Sequence, residues 1–554
     1  MNDPATNPTE LSKSWRKRGR QMPSLAILNA KVWTVNRAQP TAEAVAVQGD
    51  RITVVGSNAE VRKTLGPHTC ILDAEGRLTL PGFNDSHVHF LVGGQSLVGI
   101  MLRDTRDEGE FVERLRSYVA ALPKGEWVTG GQWDHEAWPS RNRPSKWLID
   151  PVTPDHPLLI HRLDGHLAVA NSLALRLADI TRDTPDPPGG KIERDAETGQ
   201  PTGILMDRAQ SLVWRVMPPP TEEKRIRAAE AAMRHAAELG VTSVQSIVSA
   251  SEFRLYQELH GAGRLTTRVY AILNEELGAA AAQIGLEHGF GDAMLRTGAV
   301  KVYADGSLGA RSALLFEPYD DNPAASGLAI HSEEELGRMA READAAGLQI
   351  VMHAIGDKAA HLALSALEQV LADGDCGARR HRIEHAQVVR PEDRARFARL
   401  GLIASLQPSH CTDDMRWIQK ALGARAKHSY PFRSLLDAGA RVCLGTDWPV
   451  EPLDPLLSIH AAVTREFPGG GPPGGWHPAE KVTVAEAVEA YTLGSAYAEF
   501  QDEQKGSIEE GKLADLVILS SDMLTAPPGD ILRARVEMTI LGGNIIYKAA
   551  HRAR

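Results

Sequence analysis

The sequence predicts an α/β fold: a (β/α)8 TIM-like barrel with a small composite β-sandwich contributed by both chain ends. Three observations carry this. An amphipathic helical stretch ends at glycine and runs into a short apolar strand four times: AAELG-VTSVQSI, ADAAG-LQIVMHA, FARLG-LIASLQPS and LLDAG-ARVCLGTD. Eight candidate strands can be counted, near residues 80–87, 241–247, 268–274, 298–304, 348–353, 381–385, 402–408 and 441–447, the number that a closed barrel requires. Both ends of the chain, finally, alternate apolar and polar residues in short runs, the period of half-buried strands.

Taken in order, residues 1–23 are polar and lack an apolar stretch before a cleavage site. They are expected to be a disordered lead, with the basic cluster Lys13 to Arg20 as a solvated tail and Met22 as an alternative start. Residues 24–80 read as short strands, with Gly49-Asp50 and Glu75-Gly76 as hairpin turns. Residues 506–554 have the same texture, so the two ends are expected to pair into one composite sandwich flanking a barrel at 81–505. In the repeats, glycine ends each helix because it accepts a left-handed backbone at the C-terminal cap. The apolar run after it suits a strand buried on both faces, and so parallel βα units. An insert at about 100–225 is expected to cap the barrel mouth, and FPGGGPPGGWHP, from Phe467, to act as a lid.

Composition narrows the function. The 554 residues carry 61 basic and 71 acidic side chains, a net charge of −10, which argues against nucleic acid or an anionic membrane as the main partner. Hydrophobic residues make up 43%, yet no run of about 18 apolar residues occurs, so no membrane span is expected. Cys70, Cys376, Cys411 and Cys443 show no C-x-x-C pairing. They read as thiols of a reducing, cytoplasmic compartment and exclude a thiolate metal site. The expectation is an enzyme acting on a small molecule.

The chemistry-bearing residues sit where strands end, the face on which such barrels build their active sites. The first strand runs into PGFNDSHVHF, with His87 and His89 two apart; later strands end at Lys301, His353, His385 and Asp447. Each has a bland explanation. With 20 histidines in the chain, H-x-H arises by chance roughly once. His353 or His385 alone is an ordinary satisfied histidine, and Asp447 a helix cap. Lys301 in an apolar strand is odder, because a buried ammonium is costly without a partner; a salt bridge to Asp305 would account for it. What outweighs these explanations is that all of them fall at the same end of different strands.

At this point the chain resembles the amidohydrolase superfamily, in particular its YtcJ-like branch, which includes N-substituted formamide deformylases. The matching text is PGFNDSHVHF, LDGHLAVANSLAL, VKVYADGSLGARSALL, HAIGDKA, RIEHAQ, LQPSH, LGTDWPV and EEGKLADLVIL, in family order from about Pro81 to Leu519. The resemblance implies that His87 and His89 hold the more buried metal with Asp447, and that His353 and His385 hold a second. It implies that Lys301 is carbamylated by carbon dioxide and bridges the two. One or two divalent cations are therefore expected, zinc by default, since imidazole and carboxylate suit it. The implied reaction is hydrolysis of a non-peptide carbon–nitrogen bond of amide or formamide type: water activated by the metal attacks the carbonyl, and Asp447 moves the proton. Asp164 and His166, in the DGH motif of the insert, Arg311 after the Gly-rich loop, and His410 at the end of the seventh strand are the expected substrate contacts. Trp133 and Trp138 are candidates for an apolar wall. A metal-dependent isomerase or lyase on the same barrel, a hydrolase of another ester or cyclic amide, and a non-catalytic metal-binding scaffold are the competing readings. Insert loops at a barrel mouth often make subunit contacts, so a homodimer is also among the expectations.

Overall fold

The computed structural model describes residues 22–163, 165–371 and 376–550. The lead at 1–21 lies outside them, as does Asp164. Eight parallel strands form the barrel: Phe83–Val88, Val241–Val248, Arg268–Leu273, Leu295–Tyr303, Gln349–Ala354, Arg382–His385, Ile403–Leu406 and Arg441–Leu444. Neighbours in sequence are neighbours in the sheet. The first and eighth strands meet through an isolated parallel bridge, Val88 to Trp448. Around it the Asp447 amide donates to the His87 carbonyl and the His89 amide to the Trp448 carbonyl, both at 2.7 Å. The seam of the barrel is thus made by the residues that carry its chemistry.

The helix–glycine–strand rhythm is realised as read. Gly240, Gly347, Gly401 and Gly439 have φ between +61° and +82°, each just past the end of a helix (Glu222–Glu238, Glu333–Ala345, Pro391–Arg399 and Phe432–Asp437). A residue with a Cβ would be strained there. The strands that follow are buried apart from the start of Arg441–Leu444, with apolar residues on one side and buried polar ones such as Ser243, Gln245 and Gln349 among them.

Two sheets make the second unit. One orders Arg51–Gly56, Ala44–Gln48, Leu25–Leu28 and Cys70–Asp73. The other orders Asn544–Lys548, Val536–Leu541, Leu516–Leu519, Leu78–Pro81, Lys31–Trp33 and Thr41–Ala42, so three strands from the end of the chain and three from its start join where Leu516–Leu519 pairs with Leu78–Pro81. Ile27, Val45 and Val47 from the first sheet share a core with Leu516, Ile518 and Ile540 from the second. Gly49-Asp50 is the two-residue hairpin expected, with Gln48 opposite Arg51. Glu75-Gly76 is not a hairpin: the strand before it pairs with Leu25–Leu28 and the strand after it with Lys31–Trp33. The turn carries the chain from one sheet to the other beside the Asn29 turn, whose carbonyl accepts from the Gly76 amide at 2.7 Å. Local residue preference gives the turn; only the partner strands decide which sheet each arm joins. For the same reason the first barrel strand begins at Phe83 and not at residue 80, because Leu78–Pro81 belongs to the sandwich.

The insert forms its own six-stranded sheet, from Ile100–Met101 to Pro201–Asp207, around an apolar core that includes Phe111, Trp133, Trp138 and Ile160. The glycine-rich loop begins beside the mouth, where the guanidinium of Arg416, a cavity-lining residue, lies 5.3 Å over the Phe467 ring, and is tied down at its far end. Arg465 donates to the Trp476 carbonyl at 2.6 Å and its guanidinium lies 5.1 Å over that indole. No residue from 467 to 477 lines the cavity described below. No helix of the described residues is long and apolar enough to cross a membrane.

Candidate active site

At the C-terminal end of the barrel is a cavity of about 300 Å3 whose floor holds His87, His89, Lys301, His353, His385, His410 and Asp447. Asp447 is its centre. His87 Nε2 and His89 Nε2 both lie 3.4 Å from Asp447 Oδ1, and His410 Nε2 is 3.8 Å from Oδ2. The rings form a chain, with centres 4.9 Å apart for His87 and His385 and 4.6 Å for His385 and His353. The backbone bends to achieve this: His385 has φ +70°, Ala386 +42° and Asp447 +60°. Such conformations in residues with a Cβ are unfavourable and mark functional sites. Of the residues named from the sequence, His87, His89, Lys301, His353, His385, His410 and Asp447 are therefore brought together.

Hydrogen bonds fix which ring nitrogen carries the proton. His87 gives its Nδ1 proton to Glu384, and His385 gives its own to Gln407 Oε1 at 2.9 Å. Both rings thus present an Nε2 lone pair to the cavity. His410 is the reverse: the Gln387 amide donates to its Nδ1 at 3.1 Å, which leaves the proton on Nε2, aimed at Asp447 and without a hydrogen-bond partner. His353 Nε2 faces the Gly306 carbonyl at 3.1 Å, leaving its lone pair on Nδ1. Asp447 Oδ1 is buried without a hydrogen bond. Ligand atoms of His87, His89 and Asp447 lie within 4.8 Å of one another, and so do those of His385, His410 and Asp447. Two imidazole lone pairs and an unsatisfied carboxylate oxygen fit a divalent cation.

The electrostatics agree. Burial, then the Lys301 charge, pulls His87 down to about 4, and burial keeps His353 and His385 well below the ordinary range, so these rings are neutral at neutral pH. Burial pushes Asp447 up, but the imidazoles of His87, His89 and His385 outweigh it and hold the carboxyl well below its usual value. Burial brings Lys301 down to about 8. Its Nζ sits 5.2 Å over the Tyr303 ring and makes no ion pair among the described residues. The salt bridge to Asp305 is absent. That carboxylate instead accepts the backbone amides of Leu314, Ile355 and Gly356 at 2.8–3.0 Å, tying the loop after the fourth strand to the end of the fifth.

Sequence reasoning missed Glu384. It is fully buried between His87 and Arg382, whose Nε donates to it at 2.8 Å. Arg382 also donates to the Ser86 carbonyl at 2.7 Å and to Ser405 at 3.1 Å. Burial raises the Glu384 pKa, but Arg382 and His87 prevail and leave it at about 2. A carboxylate that orients a histidine in this way fixes its tautomer and raises its basicity as a ligand. The signal was present in RIEH, where two opposite charges sit inside an apolar strand.

Residues 71–547 match the amidohydrolase family. The chain belongs to it. It is 36% identical to the protein LONG AFTER FAR-RED 3 of Arabidopsis thaliana, over 94% of this chain and 91% of that one. YtcJ of Bacillus subtilis is 32% identical over 93% and 98%, and the N-substituted formamide deformylase of Arthrobacter pascens is 29% identical over 95% and 99%. Among solved structures, an uncharacterized metal-dependent hydrolase of Pyrococcus furiosus superposes with a TM-score of 0.73 at 31% identity, over 90% of this chain and all of that one. The YtcJ-like resemblance carried by the motifs thus extends along the whole barrel and both sheets.

In this amidohydrolase the insert supplies the outer wall of the cavity, with Asp134, Arg162 and His166 among its lining residues. His166 Nδ1 is 2.7 Å from Asp207 Oδ1, and Arg162 pairs with Asp134 at 2.9 Å. Asp164 lies outside the described residues. Arg311 does not line the cavity; it forms a forked pair with Asp321, 2.7 Å at its shortest, and its guanidinium lies 4.8 Å over the Trp417 ring. Trp417 and Tyr303 form the aromatic walls. Trp133 and Trp138 are buried in the core of the insert, their indole N–H groups given to the Ile160 and Thr105 carbonyls, so neither forms a wall of the cavity.

Proposed function

We propose that the chain hydrolyses an amide-type carbon–nitrogen bond, other than a peptide bond, in a small N-acyl or N-formyl amine, using one or two divalent cations, zinc by donor preference. The observation that carries this reading is the convergence of the His87 and His89 rings on an ionised, buried Asp447 oxygen that has no hydrogen bond, with His385 and His410 grouped about the same carboxylate. The name of the Arthrobacter relative supports the substrate class. A bound cation supplies Lewis acidity, which lowers the pKa of water and polarises a carbonyl.

The chain's own residues do the rest. His87, His89 and Asp447 would hold one cation. His385 would join the second, with His353 as the resemblance implies. Lys301 completes the set as a carbamate: its neutral amine adds to carbon dioxide and releases a proton, turning a buried would-be cation into a carboxylate. Burial of Nζ without an ion-pair partner, and an amine brought down to about 8, support that step. Asp447 takes the proton of the attacking water and delivers it to the departing amine. His410, with its proton on Nε2, is placed to donate to the oxygen of the tetrahedral intermediate. His166 and Arg162 face the substrate from the insert.

The test is a panel of N-formyl and N-acyl amines, assayed for both amine and carboxylate before chelation, after it, and after zinc is restored. Stoichiometric release that disappears and returns with the metal is expected. A product isomeric with its substrate, or hydrolysis that survives complete metal removal, overturns the reading.

A further inference from the structure

A second cavity, of about 530 Å3, opens at the opposite, N-terminal end of the barrel, where it meets the sandwich. Its charged lining is Arg51, Arg296, Arg380, Asp292, Asp502 and Glu503. The formal charges balance, but the hydrogen-bonding capacity does not. Asp292 is consumed by His260 at 2.8 Å and by the amides of Met294 and Leu295. Asp502 accepts from Arg380 at 2.7 Å. Arg380 makes both its bonds, to Asp502 and to the Tyr497 carbonyl, through Nη1. Arg51 makes its hydrogen bonds, to Gln504 and the Gly511 carbonyl, through Nη1, while its Nε faces Asp50 at 3.8 Å; its Nη2 has no bond among the described residues. Arg296 forms no ion pair or hydrogen bond among the described residues, and its Nε is buried without a partner. A guanidinium has five N–H donors and no acceptor; all three side chains are half-buried, and at Arg296 it is the buried Nε whose unmet proton is costly. The cleft therefore carries a surplus of forked donors from three chain segments.

We propose that this cleft is a binding site for a small oxyanion, a phosphate or carboxylate group gripped by Arg296 with Arg380 and Arg51 beside it. Forked recognition of planar or tetrahedral oxyanions is what arginine does best. Tyr497 supports the grip, holding the Arg380 guanidinium 3.8 Å over its ring. The site is separate from the hydrolytic one. Arg296 lies near the start of the strand that carries Lys301 towards its other end, five residues on, or about 17 Å at the rise of a strand.

Isothermal titration of the metal-loaded protein with inorganic phosphate, pyrophosphate and citrate tests this, the phosphate and carboxylate arms separating the two ligand sources. Binding at one equivalent is expected for at least one of these anions. Arg296→Gln should weaken it tenfold or more; Glu503→Gln and His89→Ala should preserve it. Binding that survives Arg296→Gln but is lost in His89→Ala belongs to the hydrolytic centre and overturns the proposal. So does the absence of binding to the natural chain, including the case in which Glu503→Gln creates it, because Glu503 would then be the true partner of Arg296. Thermal unfolding of each variant distinguishes lost binding from lost folding.

Discussion

Replacing Glu384 by glutamine removes one acceptor from a place that needs two. One carboxylate oxygen takes the Arg382 Nε–H at 2.8 Å and the other takes the His87 Nδ1 proton. A glutamine accepts at one end only. Arg382 is a cation with no acceptor of its own, so it retains the amide oxygen, and the amide NH2 is turned to His87. The ring must then move its proton to Nε2, the atom 3.4 Å from Asp447 Oδ1 that would otherwise bind a cation. The loss is one charge-assisted hydrogen bond and the favourable tautomer, about 1.5–3 kcal/mol, or a roughly tenfold to hundredfold weaker grip on the metal. Equilibrium dialysis against buffered free zinc, with elemental analysis, measures this directly. Unfolding of the metal-free protein serves as control. Glu384 also contributes to acid stability: its folded pKa of about 2 lies below the ordinary value of about 4.3. Its stabilisation is complete above that ordinary value and is lost as pH falls towards 2. The glutamine variant should lack that part of the acid-unfolding slope. Zinc affinity within twofold of the unaltered enzyme would refute the reasoning.

Other variants separate the roles around the cavity. Lys301→Ala should abolish hydrolysis, with partial rescue by short carboxylic acids, and undiminished turnover would rule out the carbamate. In the unaltered chain, recovery of activity after decarbamylation should speed up nearly tenfold per pH unit below about 8, where the Lys301 ammonium is losing its proton; a flat profile across pH 6–8 contradicts this. Asp447→Asn should end turnover while at least one metal remains by elemental analysis. His410→Ala should keep the metal content of the unaltered protein and lower kcat by about a hundredfold, the scale of one lost donor to a developing oxyanion; loss of metal would make it a ligand. His166→Ala should change KM or kcat without emptying the metal site.

The barrel was legible because its signals are local. A glycine two residues past the helix and an apolar run after it need no knowledge of the rest of the chain, and the four strands read from that rhythm fall where it places them. The cluster was legible for the related reason that strand ends are countable. What could not be read were facts that depend on partners distant in sequence. Glu384 meets His87 across 297 residues, so inside RIEH it passes for one more strand residue. Asp305 could pair with Lys301 or accept backbone amides, and only the approach of the loop ending at Leu314 decides it. Arg311 follows a glycine-rich loop as a substrate clamp would, yet Asp321 lies close enough to take its whole fork. The left-handed backbone at Asp447 and His385 leaves no mark in residue type.

The pairing of an early strand with a late one in a single sheet has a consequence for how the protein is made. Leu78–Pro81 lies against Leu516–Leu519, so on the ribosome the first arm waits for its neighbour while more than four hundred residues are synthesised. At about 5–20 residues per second that is roughly 20–90 s. Throughout that interval an apolar edge of the nascent chain stands open to any passing strand. Premature termination near the C-terminus should therefore yield aggregates and not a trimmed enzyme, and slowing translation late in the message should raise the demand for chaperones.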